Sequence, residues 1–303
     1  MAEWGPEHVV GKRLARRLIG EQYPELAGAS IEPLGEGWDS TAWLVDGRWA
    51  FRFPRRQIVV AGLEREIAVL PLLASRLPAA IPVPHYVGRP GAGYPWPFVG
   101  SPFIPGGEPF QARPSDAERV ALAAPIASFL RSLHSIDPDD DLVTARLPLD
   151  TNRRSDMPYR VDFTHRRFAE LRQLGVWDAP RDLAELIESA RHLPAPAAPR
   201  LTHGDLHLRH VLIDRGRLSG VIDWIDVGLA DPAIDLPLYW GFVPPAGRPA
   251  FRAAYGPIDD AQLLRARVLA VFLWSTIALY GRREGVPELE QEAIDGLERA
   301  ATT

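Results

Sequence analysis

Residues 200–224 constrain this chain more than any other stretch. Short apolar runs alternate there with turns: Val211-Leu212-Ile213-Asp214, then Arg215-Gly216-Arg217, then Leu218 to Asp223. The segments around it carry helical periodicity instead, at about 160–174, 181–192, 259–281 and 287–300. Ser115 and Glu118 form a capping box that opens a further helix running to about residue 134. The pattern predicts a small β-hairpin inside a mainly helical region.

The first third of the chain reads differently. Thr41-Ala42-Trp43-Leu44-Val45, then Asp46-Gly47, then Arg48 to Phe53 predicts a hairpin on a favoured two-residue turn. Alternation places Trp49, Phe51 and Phe53 on one face, with Ala50 and Arg52 on the other. Residues 60–77 follow as a helix with Leu63, Ile67, Leu70 and Leu73 on one side, Glu66 bordering that stripe and Pro71 kinking it. Residues 81–109 are proline-rich, and 96–104 predict a short edge strand leading into a connector. The lobe boundary falls near Pro105-Gly106. The expectation is therefore an α+β chain with a sheet-containing lobe at 1–104 and a helical lobe at 105–303. Pro194-Ala195-Pro196-Ala197-Ala198-Pro199 reads as a rigid connector.

Composition narrows the function classes. The 303 residues contain no cysteine, which excludes disulfides, thiolate metal sites and a cysteine nucleophile. A net charge of −5 offers no general attraction to nucleic acid, while a local basic pocket for phosphates stays allowed. Apolar runs fall short of the ~18–20 residues that span a bilayer, and the N-terminus lacks the order of a secretory signal. A cytoplasmic chain with a small-molecule partner, neither nucleic acid nor membrane, is the expectation. The oligomeric state is not legible.

Phosphoryl transfer needs a base to orient a hydroxyl, divalent cations to neutralise polyphosphate, and a protein cation to position the phosphates. Asp205 is followed five positions later by His210, the offset separating base from metal-binding Asn in the kinase pattern H-R-D-x-x-x-x-N. Asp223 then ends the hairpin's second strand, where a kinase carries its metal-binding aspartate. Upstream, Gly35 and Gly37 precede a strand, with Ser40 in place of a third glycine. Trp49-Ala50-Phe51-Arg52 stands where V-A-I-K would, Arg replacing Lys, with Glu66 as its natural ion-pair partner and Glu64 less favoured. Arg55 and Arg56 read as solvated surface charges.

His203-Gly204-Asp205-Leu206-His207 with Val221-Ile222-Asp223-Trp224 resembles the paired signature of the aminoglycoside-phosphotransferase and choline-kinase superfamily. Asp231-Pro232-Ala233-Ile234-Asp235-Leu236 is similar to that family's next segment. Leu34-Gly35-Glu36-Gly37-Trp38-Asp39 resembles its nucleotide loop, and Phe103-Ile104-Pro105-Gly106 its interlobe hinge. The resemblance spans roughly 30–240, in order. It implies a protein-kinase-like two-lobed fold, Mg²⁺, ATP or GTP as donor lying in the cleft, and a small-molecule alcohol as acceptor. Asp205 is then the base, and His210 and Asp223 the metal ligands. Gly35, Gly37, Ser40, Ala50, Arg52, Glu66, Phe103 and Ile104 form the nucleotide site. His207, Asp226 and Asp231 are candidate substrate contacts, with Asp231 equally readable as a turn or N-cap and Asp235 as a structural carboxylate. His210 in place of Asn, with Arg52-Phe53-Pro54-Arg55-Arg56 and Ile222-Asp223-Trp224, is similar to macrolide phosphotransferases.

Three other readings stay open at the sequence level. A metabolite such as an amino alcohol or sugar is an alternative acceptor to an aminoglycoside or macrolide. The Arg52 and His210 departures allow a nucleotide-binding pseudokinase without turnover. Three of the eight histidines lie within 203–210, which admits a zinc hydrolase using His203, His207 and Asp205 or His210. Trp240, Phe242, Phe272 and Trp274 read as core aromatics.

Overall fold

The Asp46-Gly47 turn forms as its residue types require. Both residues take positive φ, 51° and 64°, and the Arg48 N–H donates to the Val45 carbonyl at 3.0 Å. This turn matches the twist of the flanking strands and sets their register. The structure, a computed structural model, describes residues 5–137, 147–150, 152–194 and 199–302. The expected connector at 194–199 has its central residues outside that set.

Two compact units emerge, and the division does not fall at one point of the chain. One unit holds Met1–Ser75, Ala80–Ile104 and Asp223–Ile225, and the other holds Arg76–Ala79, Pro105–Ile222 and Asp226–Thr303. The smaller unit begins with α1 (Lys12–Gln22). Its strands β1 (Ile31–Glu36), β2 (Ser40–Val45) and β3 (Trp49–Pro54) precede α2 (Val60–Leu73), and β4 (Tyr86–Gly88) and β5 (Phe98–Pro102) follow. They form one antiparallel sheet in the order β1-β2-β3-β5-β4. Phe51 and Phe53 are fully buried against Leu18, Ile19, Val45 and Phe98, as alternation predicts. Ala50 and Arg52 lie on the half-exposed face.

One strand departs from expectation. β5 is an inner strand between β3 and β4, and β4 makes the edge. The reason is local: Pro97 stands before β5 and Pro102 at its end, so Phe98–Ser101 keeps every N–H needed to pair on both sides. In α2 the apolar stripe is Leu63, Val69, Leu70 and Leu73, with Ile67 only half-buried, and the helix stops at Leu73 just after Pro71.

The larger unit contains α3 (Pro109–Ala112), α4 (Asp116–His134), α5 (Met157–Gln173) and α6 (Arg181–Ser189). Next come β6 (Arg200–Thr202), β7 (Val211–Asp214), β8 (Arg217–Val221) and β9 (Gly228–Ala230). The unit ends with α7 (Pro237–Gly241), α8 (Arg248–Tyr255), α9 (Asp260–Glu284) and α10 (Pro287–Ala301). The Ser115–Glu118 capping box is present at the start of α4. The hairpin also forms: β7 pairs β8 across a turn in which Arg215 and Gly216 take φ of 48° and 74°. A second antiparallel pair, β6 with β9, carries the chain into and away from residues 203–227.

α9 corrects the expectation about apolar length. By length and composition its 25 residues are enough to cross a bilayer, with a mean hydropathy of 1.5 over its most apolar window. Here 78% of that window is buried inside the fold, so the apolar character serves the core of the unit.

Candidate active site

The loop after β6 is held by a carboxylate beneath it. Asp235, fully buried, accepts from the N–H of His203 at 2.6 Å and of Gly204 at 2.9 Å. His134 Nε2 donates to the same carboxylate at 3.1 Å, and the Tyr255 hydroxyl donates to His134 Nδ1 at 2.7 Å. Burial pushes the Tyr255 phenol well above its ordinary value, so it stays a donor. Gly204 takes φ of 90°, and a Cβ there would lie 2.1 Å from the Asp226 carbonyl oxygen. Only glycine satisfies both conditions. Leu206 and Leu208 are fully buried and anchor the loop from within.

Partners fix the three histidine tautomers. His203 Nδ1 accepts from the Asp205 N–H at 3.3 Å, and its Nε2 donates to the Ile222 carbonyl at 3.0 Å. His210 Nδ1 lies 2.8 Å from the Asp205 carbonyl, which can only accept, so Nδ1 donates. His207 Nδ1 accepts from the Arg209 N–H at 3.2 Å, which puts the proton on Nε2, 3.7 Å from Asp205 Oδ2. The His207 and His210 rings stack with centroids 3.9 Å apart. Burial first, then His210, Arg209 and Arg154, hold His207 well below its ordinary pKa, so the ring is neutral.

Asp205 therefore sits between an N–H dipole and a cation. Arg154 lies 2.8 Å from Asp205 Oδ1 and 3.0 Å from Asp226 Oδ2, bridging the two carboxylates. Burial opposes charge on Arg154, but Asp205 and Asp226 outweigh it and hold its pKa above the ordinary value. The side chains of Asp205, His207 and His210 bring their ligand atoms within 4.8 Å of one another. His207 turns its Nδ1 lone pair to the Arg209 N–H, so that ring must exchange tautomers before its Nε2 can bind a metal. A carboxylate and one nitrogen do fit a divalent cation that completes its shell with phosphate oxygens or water.

In the smaller unit the equivalent centre is Glu66. Its carboxylate, fully buried, pairs with Arg52 and also accepts from the Trp224 N–H at 2.7 Å. Burial raises the Glu66 carboxyl against the opposing pull of Arg52. For Arg52, burial works against the charge, yet Glu66 and Asp223 more than compensate and keep the guanidinium charged. Asp223 itself adopts φ of 66°, a left-handed conformation uncommon for a residue with a Cβ. Residues 223–225 are tied further by Arg65, which donates to the Ile225 carbonyl at 2.7 Å.

The turn between β1 and β2 closes with the Gly37 N–H donating to Ser40 O at 3.0 Å. Arg55 donates to the Gly37 carbonyl at 2.7 Å and pairs with Glu36 at 2.7 Å, and Arg56 pairs with Asp39. Gly35 lies beside an irregularity in the β1–β2 register. Ala50 pairs opposite Leu44 and Ser101 in the sheet. The Phe103 N–H donates to Arg48 O at 2.7 Å, and Ile104 is buried beside it.

A family model described as the phosphotransferase enzyme family matches residues 30–268. The chain belongs to this family. Among curated proteins, an uncharacterized protein of Bacillus subtilis (strain 168), YcbJ, is 51% identical over 45 residues, 14% of this chain and 15% of that one. An Escherichia coli aminoglycoside 3′-phosphotransferase is 29% identical over 175 residues, 55% of this chain and 61% of its own length. The matched stretches thus span less than two thirds of both curated relatives. Solved structures match over nearly their whole length. The GDP and kanamycin complex of APH(2″)-IIIa has 28% identity, covers 95% of this chain and 98% of that one, and gives a TM-score of 0.71. The macrolide 2′-phosphotransferase MphH from Brachybacterium faecium shares the fold at 22% identity, covering 93% and 97%, with a TM-score of 0.62. Both likenesses agree with the two-lobed α+β, kinase-like fold expected of the phosphotransferase enzyme family.

Within this family member, the site residues read from the sequence fall into two groups. Gly35, Gly37, Ser40, Ala50, Arg52, Glu66, Phe103, Ile104 and Asp223 belong to the smaller unit, and Asp205, His207, His210, Asp226 and Asp231 to the larger. Two of the candidate substrate contacts are buried. Asp231 is 2% exposed, caps the turn after it by accepting from the Ala233 N–H at 2.9 Å, and pairs with Arg265 at 3.2 Å. That burial removes it from a substrate's reach, in favour of its N-cap reading. His207 is 5% exposed and turns towards Asp205. Arg55 and Arg56 are not solvated surface charges, because each is bonded to the turn that carries Gly37. The largest omissions are Arg154, His134 and Tyr255. Each lies far along the chain from its partner, and no motif or periodicity marks it.

Proposed function

We propose that this chain transfers the γ-phosphoryl group of ATP or GTP to a hydroxyl of a small-molecule acceptor. The feature that carries the reading is Asp205, a carboxylate flanked by Arg154 and the His207 N–H on a loop whose backbone is pinned by Asp235. A base in that state orients an acceptor hydroxyl and takes its proton as the oxygen attacks phosphorus. Arg52, held charged by Glu66, positions donor phosphates, and the turn at Gly35, Gly37 and Ser40, small at its glycines, lets them approach its backbone. Ala50 leaves room for a flat base, and Phe103 and Ile104 line its edge. When bound, Mg²⁺ neutralises the polyphosphate. Asp223 and His210 are the residues proposed to hold it.

The aminoglycoside complex of a 28% identical relative and the sequence likeness to macrolide phosphotransferases make both antibiotic classes acceptors to screen, beside amino alcohols and sugars. The GDP in that relative makes GTP a donor to compare with ATP. The residues at 1–104 are proposed as the nucleotide lobe and those at 105–303 as the catalytic lobe. Asp205→Ala lowers kcat by roughly 10²–10⁴-fold while nucleotide affinity is unchanged. Steady-state turnover beside nucleotide titration checks this, and unaltered turnover in the variant ends the assignment. Metal-dependent consumption of nucleotide by the wild type separates the enzyme from a nucleotide-binding protein without turnover.

A further inference from the structure

The acidic residues around the loop meet arginines of their own unit. Arg154 holds both Asp205 and Asp226, Asn152 Nδ2 adds a donor to Asp226 at 2.8 Å, and Arg265 holds Asp231. Arg154 is not a loose surface cation: its side chain is 10% exposed. A strap delivers it. Leu149 bridges to Leu229, the Asp150 N–H donates to Leu229 O at 3.0 Å, and the Asp150 carboxylate accepts from the N–H of Arg154 and Ser155, each at 2.8 Å. A second buried guanidinium stands close by. Arg160 donates to the Asn152 carbonyl and, at 3.1 Å, to the Arg153 carbonyl, and lies 4.8 Å from the Phe272 ring centroid. Burial and Arg154 lower its pKa to about 10, which leaves it charged at neutral pH.

We propose that Arg154 sets the charge class of the acceptor. By holding Asp205 and Asp226 together it denies their carboxylates to an ammonium group, so the site takes neutral or anionic hydroxyl compounds and rejects polycations. The inference rests on the phosphotransfer reading in one respect, that Asp205 marks the place of the acceptor hydroxyl. An ammonium entering beside that hydroxyl must displace a buried guanidinium already hydrogen-bonded to Asp226 and ion-paired with Asp205, and it meets Arg160 as a like charge. Neutral hydroxyls meet neither penalty, and an anionic group gains from Arg160.

The test uses kanamycin, a polycation, titrated calorimetrically into the full chain. Wild type shows no binding at micromolar concentrations. Arg154→Met, which removes the cation shared by Asp205 and Asp226, binds kanamycin at least about tenfold more tightly, and added kanamycin raises its melting temperature, an effect that weakens with salt. Arg154→Lys keeps the charge and behaves as wild type. Arg154→Gln replaces Arg154→Met if that variant does not fold. Micromolar kanamycin binding by wild type, or equal affinity in wild type and the uncharged variants, overturns the proposal. Mg²⁺-dependent GTP and ATP hydrolysis by wild type is read in parallel. Its absence counts against the phosphotransfer reading alone, since the kanamycin titration involves no turnover.

Discussion

Glu66 shows how one carboxylate couples two distant parts of the chain. One of its oxygens neutralises Arg52 on β3, and the other accepts from the Trp224 N–H, 158 positions later. Both interactions lie inside the smaller unit, where the carboxylate is fully buried. Glu66→Gln keeps the shape and removes the charge, leaving Arg52 only Asp223 as counter-charge. Breaking a buried pair in this way costs about 3 kcal/mol, and urea denaturation reads that loss. Nucleotide affinity falls in the same variant, because the Arg52 side chain no longer has a fixed position. Equal stability of the variant and wild type contradicts the pairing described for Glu66. The choice between Glu64 and Glu66 was already open to sequence reasoning, since only Glu66 borders the apolar stripe of α2. The bond to Trp224 was not, because nothing in local pattern reports a partner so far along the chain.

Among the elements, the loop between β6 and β7 is over-determined. Its start is pinned by Asp235, its middle is filled by Leu206 and Leu208, and its end is tied by His210 O accepting from the Ile222 N–H at 2.9 Å. Gly204 is the point where no substitution fits. In Gly204→Ala the new Cβ meets the Asp226 carbonyl oxygen, and the φ of 90° becomes strained as well. The expected result is a loss of turnover of more than about tenfold, larger in effect than the accompanying loss of stability, because the displaced residue is the neighbour of Asp205. Parallel kinetics and thermal melting check the ratio, and an active Gly204→Ala variant contradicts this account. The strap at 148–156 is the complementary case. Its described residues, 148–150 and 152–156, form neither helix nor strand, so no periodicity announces them, yet Leu149 pairs with Leu229 and Arg154 reaches the loop's carboxylate.

At the scale of the whole molecule, the larger unit is built on α9, and packing there leaves no slack. Trp274 of α9 is fully buried between glycines of two other helices: a Cβ on Gly296 would lie 1.9 Å from the indole, and one on Gly241 2.6 Å. Gly296→Ala therefore destabilises by about 3 kcal/mol, read as a lower melting temperature, without altering the loop at 203–210. A variant as stable as wild type would show that α10 can shift away from α9. The sequence by itself determined the elements with short-range causes. The Asp46-Gly47 turn, the Ser115–Glu118 cap, the alternation of β3 and the hairpin at 211–221 all depend on neighbours within a few residues. The ordered motifs around Asp205 and Asp223 likewise disclosed the family, since their spacing is itself linear. Tertiary structure alone decided that β5 lies inside the sheet, that Asp231 is buried, and which distant partners Arg55, Arg56, Arg154 and His134 take. Each of these depends on which distant groups share a buried space. There a charge or polar group must find a partner or bear the cost of desolvation, and that demand leaves no local mark in the order of residues.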